Sequence, residues 1–472
     1  MQKRLRKLLH PEAVKQFEKY IEQLISDVSF SCSPYPIYKE GEHIEDEWDC
    51  SFGYSVSILD KIANLLPSAG YLDRDILPLV FSEVLQSMFD KHNVIPERIS
   101  EFSDWNDLYL KDFVDSTFRA DVKQTLCEYF YNLPFKYDVL IPLPHVDLPK
   151  TTSYRISEEL ELIKINIDLM STDSPLIWKK IRDGEILESI AGEDDRRGQR
   201  LSKHRVYLLV RTEGTSFCHS IKYVFQNAIE QLRILVGALF ALDILNQSEI
   251  LRIFDSPYNL WGNCLITPAF DNSEFPRAQS QALWKNLPVT EWDFICDLIL
   301  NHSLMGPSPL ERELIERGKK RYTPEQQAKR LELLLKPVKK VFNTDCSIEH
   351  MGEVRRVRNA LNWYFNGLIE ERESFSFILF TVSIETLLGD PNQEKDITER
   401  LADRCSYLLG SNAPERKEIK KKFAEAYNIR SRIVHQGKVT LDEKDKVHYS
   451  NIKWLSQKVL AKEINALPEL HV

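Results

Sequence analysis

In the stretch YNIRSRIVHQGK, Tyr427 to Lys438, an arginine and a histidine stand five positions apart, with a serine directly after the arginine. Arg430 presents a permanently charged planar fork that matches phosphate oxygens, and its charge favours a transition state in which phosphate negative charge grows. His435 is the side-chain type that takes up or gives back a proton near neutral pH without unusual tuning. The pair therefore points to chemistry on a phosphate ester.

The element that must position them reads as a well-bounded helix. Ser411 and Asn412 offer an N-cap, Pro414 and Glu415 suit the first turn, and Gly437 suits the C-terminal cap. Ile419, Phe423, Tyr427 and Val434 follow the 3 to 4 residue spacing of one buried stripe, and Arg430 falls on the same stripe. At 100° per residue Ser431 and His435 lie on the adjoining flank, so the three are expected to border a common groove. The spacing alone is weak, because roughly two such Arg and His pairs arise by chance in a chain of this composition. Arg4 with His10 and Arg197 with His204 are two of them. Context sets Arg430 and His435 apart. A structural account competes for each: Arg430 could cross to a carboxylate such as Glu385, and His435 could cap its helix. Tyr427 reads first as packing. The run KEIKKK, Lys417 to Lys422, reads first as a solvated helix face that could also attract phosphates. Trp363, Tyr364 and Phe365 read as core or dimer contact.

The chain has 472 residues, which implies two or three domains, and its formal charge of -9 argues against a surface that coats nucleic acid indiscriminately. Eight cysteines are scattered without a CxxC pair or zinc spacing, which fits a reduced cytoplasm, and no cofactor or metal is expected. The basic start MQKRLRKLLHPEAV lacks a signal peptide's apolar core, and the apolar run Ile234 to Leu245 is too short for a bilayer, so no membrane partner is expected.

The expected fold class is mainly α with an α+β middle region. Residues 1–135 show helical periodicity, as in AVKQFEKYIEQLISDV and DILPLVFSEVLQSMFDKH, with SCSPYPIY as a proline-bearing break. Residues 136–345 carry strand-like KYDVLIPLPHVDLP, ELELIKINIDL and HRVYLLVRT, a polar loop at Gly192 to His204, and the long helix IKYVFQNAIEQLRILVGALFALDIL. SLMGPSPLERELIERGKKRYTPEQQ reads as a surface connection. Residues 346–472 form a helical bundle of five segments: EVRRVRNALNWYFNGLIE, SFSFILFTVSIETLL, DITERLADRCSYLL, PERKEIKKKFAEAYNIRSRIVH and DKVHYSNIKWLSQKVLAKEI.

GxxxxGK[ST], GxGxxG, HExxH, GxSxG and EF-hand patterns are absent, which lowers the corresponding readings. Cys218 beside His219 is read as an ordinary pair, since neighbours on a strand point apart. Glu418 and Lys420 loosely match the Glu-x-Lys arm of metal-dependent nucleases. That arm belongs on a strand, and here it falls in a helix.

The segments FILFTVSIETLLGD, ITERLADRCSYLLG and above all YNIRSRIVHQG carry a family resemblance. The C-terminal region, Cys346 to Val472 and about a quarter of the chain, resembles the HEPN superfamily of helical ribonuclease domains. Within it, the match is to the ApeA-like group associated with abortive infection of phage-attacked bacteria. The resemblance implies metal-independent RNA cleavage at a composite site where two protomers pair through their motif helices. Carried onto this sequence, His435 would be the acid/base residue, Arg430 would hold the phosphate and Ser431 would be a secondary polar contact. Glu385 would pair with Arg430 or Arg432 and orient it, with Tyr427 beside them. Lys420, Lys421 and Lys438 would attract the RNA backbone. The implied partners are RNA, tRNA among the candidates, a second copy or a higher homo-oligomer, and a phage-derived trigger. The one departure is Gln436, which separates His435 from the glycine that many relatives place directly after the histidine. A non-catalytic module that only dimerises and binds RNA or protein is the competing expectation.

Overall fold

The computed structural model describes residues 10–39, 42–65, 77–92, 108–109, 115–143, 146, 148, 153–165, 205–214, 217–247, 263–268, 283–296, 298–300, 324–343, 348–389, 397–437 and 440–469. The loop 192–204 and most of the segment 303–327 lie outside them, as do Arg4, Arg197, His204 and Lys438. Among the described residues the chain is mostly helical, with a small antiparallel sheet in its middle, and no helix is long and apolar enough to cross a membrane.

By contacts the chain forms two units, one of residues 1–138, 211–227 and 266–283, the other of 139–210, 228–265 and 284–472. In the first unit, helix α1 (Pro11–Asp27) starts at His10, whose side chain accepts the Glu12 backbone N–H. The histidine of the Arg4 and His10 pair is thus a helix cap. Strands β1 (Ser29–Lys39) and β2 (Glu42–Gly53) follow as an antiparallel hairpin with Ser29 opposite Gly53. This corrects the expectation of a break at SCSPYPIY, which is part of β1. Pro34 and Pro36 are two apart, so both missing N–H groups face the same side of the strand. A strand tolerates that where one of its sides carries no ladder. β1 is the middle strand of the order β2-β1-β3 and pairs with the short β3 (Leu108–Tyr109) through Ser29 and Phe30, which among the described residues stops short of the prolines. Helices α2 (Val56–Leu65), α3 (Leu77–His92) and α4 (Ser116–Asn132) complete the unit around Phe17, Phe81 and Phe130.

The expected middle strands form as β4 (Phe135–Leu143), β6 (Leu160–Ile165) and β7 (Arg205–Gly214), joined by β5 (Ser153–Arg155). Helix α5 (Phe217–Ala241) follows, then β8 (Leu245–Gln247), β9 (Asn263–Pro268), β10 (Leu283–Asn286), α6 (Val289–Cys296) and β11 (Leu298–Leu300). The six-stranded sheet has order β10-β9-β4-β7-β6-β5, with β6 antiparallel to β5 and β7. β4 is buried at every position but one, as an apolar strand covered on both faces must be. Cys218 and His219 lie in α5, so the strand assumed for them is corrected to a helix.

The second unit ends in α7 (Pro324–Val341), α8 (Ile348–Ile369), α9 (Glu373–Leu388), α10 (Ile397–Leu409), α11 (Ala413–Gln436) and α12 (Glu443–Ala466). The last five match the five expected segments. α8 packs on α9, α10 on α11, and α12 against both α9 and α11. The α8–α9 contact is close because small groups line it: Ser376 Oγ donates to Gly367 O at 2.6 Å and Ser383 Oγ to Ala360 O at 2.9 Å. A Cβ on Gly367 would stand 2.9 Å from the Phe380 ring. Tyr364 and Phe365 are fully buried while Trp363 is exposed, so that cluster divides between core and surface.

Within the same unit α8 and α12 hold the end of α5. Gln231 accepts from Arg358 at 2.9 Å, Gln457 donates to Asp243 at 2.6 Å, and a Cβ on Gly237 would come within 3.0 Å of Leu361 O.

Candidate active site

Helix α11 is bounded as its sequence requires. Asn412 Oδ1 accepts the Glu415 N–H at 3.0 Å, and the Glu415 carboxylate reaches back to the Ser411 N–H at 2.8 Å. That reciprocal arrangement satisfies helix-start donors that would otherwise be orphaned. Gly437 closes the other end at φ 66, a left-handed conformation that favours glycine.

The buried row of α11 is Ile419, Phe423, Ala426, Ile429 and Ile433. Val434, expected on the stripe, is instead 47% exposed. The reason is helical drift: at 3.6 residues per turn the row that enters at Ile419 leaves at Ile433. Tyr427, Arg430 and Ser431 are half-buried at its margin, and His435 is exposed.

Arg430 faces the last turn of α9. Its Nη2 lies 3.6 Å from Glu385 Oε2, with both side chains 23% exposed, and its guanidinium sits 5.6 Å from the centroid of the Tyr427 ring. Tyr427 in turn stacks on Phe423 at 5.9 Å. Burial first, and then the Glu385 charge beside it, push the Tyr427 hydroxyl up to about 12. Glu385 Oε1 and Arg430 Nε are buried without a hydrogen-bond partner among the described residues. Such orphaned polar atoms are few in folded proteins and call for an explanation.

Glu385, Tyr427 and Arg430 line a cavity of about 670 Å³, and three further arginines stand on its wall: Arg356 from α8 and Arg400 and Arg404 from α10. Leu388, Ile397 and Leu401 supply apolar surface. Arg404 donates to the carbonyl of Leu388, which ties α10 to the C-terminal end of α9. Cys405, next along α10, is a free, fully buried thiol that burial pushes up to about 12. The sequence reasoning missed Arg356, Arg400 and Arg404. A signal was present, since Arg400 and Arg404 are four apart and so share one face of α10.

The remaining predicted residues are placed as follows. Arg432 pairs with Asp445 at 2.9 Å, so Glu385 is the partner of Arg430. Asp445 is 4% exposed by side chain, which makes this contact a stitch between α11 and α12. Lys420 is engaged by Asp403 at 2.7 Å and Glu399 at 3.4 Å, and Lys421 faces Glu425 at 3.9 Å. Glu418 pairs with Lys422 at 2.7 Å on the helix, as its helical placement required. Lys438 lies outside the described residues. Ser431 and His435 are not among the residues that line the cavity. Arg430 and His435 are five positions apart on the helix, about 140° around the axis and about 7.5 Å along it, so the two do not face one wall of a single chain. The groove expected to hold all three therefore holds Arg430 alone.

Among the described residues no group of three or more His, Cys, Asp or Glu is placed to hold a metal ion. Comparison with protein-family models, with curated proteins and with solved structures found no match to this chain.

Proposed function

We propose that this chain is a metal-independent endoribonuclease of the HEPN type, acting as a homodimer in anti-phage abortive-infection defence, with the regions before residue 346 sensing a trigger or restraining the nuclease. The observation that carries the reading is Arg430: a half-buried guanidinium, held by Glu385 over Tyr427, on the wall of a cleft with three more arginines. Such a group is preorganised for phosphate and loses little freedom on binding it.

In this reading the ribose 2'-hydroxyl attacks phosphorus and the P–O5' bond breaks. An imidazole of His435 takes the 2'-hydroxyl proton, and a protonated His435, supplied by the second copy, gives a proton to the departing O5'. Arg430 holds the phosphate oxygens as charge builds on them. The products are a 2',3'-cyclic phosphate and a 5'-hydroxyl. The exposure of His435 at a helix end suits a composite site, because two such ends can be brought together by a twofold axis.

A second reading, a non-catalytic module that dimerises and binds RNA or protein, is favoured by one observation: Arg430 already has a carboxylate partner in the single chain. Purified protein with bacterial RNA and tRNA in excess EDTA, wild type beside His435→Ala, separates the two. Cleavage by wild type alone, leaving cyclic phosphate ends, supports the nuclease. Equal cleavage by both proteins removes His435 from the mechanism, and cleavage lost to the chelator points to a metal enzyme.

A further inference from the structure

A second depression of about 480 Å³ adjoins the cleft and shares Arg356, Leu388, Gly389 and Arg404 with it. The two form one trough that runs from Arg430 past Arg404 to Tyr407. Tyr407 is 67% exposed, an unusual position for a large ring, and the Arg416 guanidinium lies 4.8 Å from its centroid. The carboxylates along the trough are answered: Glu385 by Arg430, and Asp403 by Lys420 at 2.7 Å. Guanidinium groups from three helices line the trough, Arg404 being also held on the Leu388 carbonyl, with apolar surface at Leu388, Ile397 and Leu401 and an aromatic ring at the far end.

We propose that this trough is the track of a single strand of RNA leading away from the cleavage site, with Arg400, Arg404 and Arg356 meeting the phosphates that flank the scissile one and Tyr407 stacking a base. The proposal deepens the nuclease reading and rests on it for the identity of the ligand. Three features favour a strand over a mononucleotide. Arg400 and Arg430 line only the first depression, Arg356 and Arg404 line both, and Tyr407 lines only the second, so the groups succeed one another along the trough as successive nucleotides would need. An exposed ring beside an arginine is the platform on which bases stack without regard to sequence. The unpartnered Arg430 Nε lies at the end of the trough where the scissile phosphate would sit.

The test uses the full chain carrying His435→Ala, so that RNA is not consumed, and a short fluorescein-labelled single-stranded RNA read by anisotropy across a salt series. Tyr407→Ala should weaken binding about tenfold with the salt slope unchanged, since a stacking contact releases no counterions. Arg400→Gln and Arg356→Gln should each lower the slope of log affinity against log salt by about 0.7. Tyr407 is exposed, so its removal leaves the core intact, and melting curves check the arginine variants. Unchanged affinity and slope in Tyr407→Ala and Arg400→Gln overturn the track. So does ADP competing as tightly as the oligonucleotide, which would make the trough a mononucleotide site. Absence of RNA binding overturns it too. The two claims fail separately. Binding with these signatures beside an inactive wild type sinks the nuclease and keeps the track. Cleavage by wild type that Tyr407→Ala and Arg400→Gln leave untouched sinks the track and keeps the nuclease.

Discussion

Arg430 and Glu385 face each other at 3.6 Å across the junction of α9 and α11, and each keeps one buried polar atom unsatisfied. An ion pair built only for stability would use those atoms, so the geometry separates two roles that single substitutions confound. Arg430→Ala should lower RNA cleavage about 10² to 10³-fold. It should also cost about 1–2 kcal/mol of stability, less than a fully buried pair because both groups are partly exposed. The double variant Arg430→Gln with Glu385→Gln should regain that stability and none of the activity. Melting temperature and cleavage rate, measured on the same preparations, decide it. Recovery of cleavage in the double variant would make Arg430 a structural residue.

Arg432 is the contrasting case. Its partner Asp445 is nearly fully buried, and Asp445 also stands in the first turn of α12, where its N–H is capped by Asp442 at 2.9 Å. Arg432→Ala should therefore destabilise the fold by about 1–3 kcal/mol. Cleavage per folded molecule should stay at the wild-type rate. A loss of cleavage in a preparation shown by circular dichroism to be folded would contradict this assignment.

Tyr427 gives a pH signature. Its hydroxyl, pushed up to about 12 chiefly by burial and then by the Glu385 charge, binds its proton more tightly in the folded chain than the ordinary value near 10 allows. The sign follows: its contribution to stability is fully present below pH 10 and is lost as pH rises through about 12. Denaturant midpoints of wild type should fall across that interval more steeply than those of Tyr427→Phe. Phenolate absorbance should show the Tyr427 transition moving down in Glu385→Gln while staying above 10, because burial persists.

Gly367 sets how closely α8 and α9 approach. Gly367→Ala puts a methyl within 2.9 Å of the buried Phe380 ring, on the helix that carries Glu385 five residues later. Overpacking should outweigh the helix preference of alanine, for a net loss of about 1–2 kcal/mol. The displaced α9 should weaken cleavage as well. A variant as stable and active as wild type would show that the ring has room to yield.

Much of the C-terminal bundle was legible because its helices announce their ends: Asn412, Pro414, Glu415 and Gly437 are each chosen by local backbone needs. β4, β6 and β7 were legible for a similar reason, since branched residues between Pro, Asp and Gly leave few alternatives. The β1–β2 hairpin was hidden by Pro34 and Pro36, which read as a break unless one knows that both missing donors fall on one side of the strand. Val434 was misplaced because a stripe extrapolated over four turns accumulates the difference between 3.6 and its nearest integers. The Arg430 to Glu385 contact could be suspected, but the placement of Arg356, Arg400 and Arg404 along one trough could not, because it depends on how α8 and α10 dock beside α9. Tertiary placement, not residue type, carries that information.

Cys405 turns the wall of the cleft into its own clock. The thiol is sealed against the core, and at neutral pH almost none of it is thiolate, so a disulfide reagent can modify it only in molecules whose α10 has lifted away. The modification rate, followed by peptide mapping, reads how often that helix opens in the native protein. Filling the neighbouring trough should slow it.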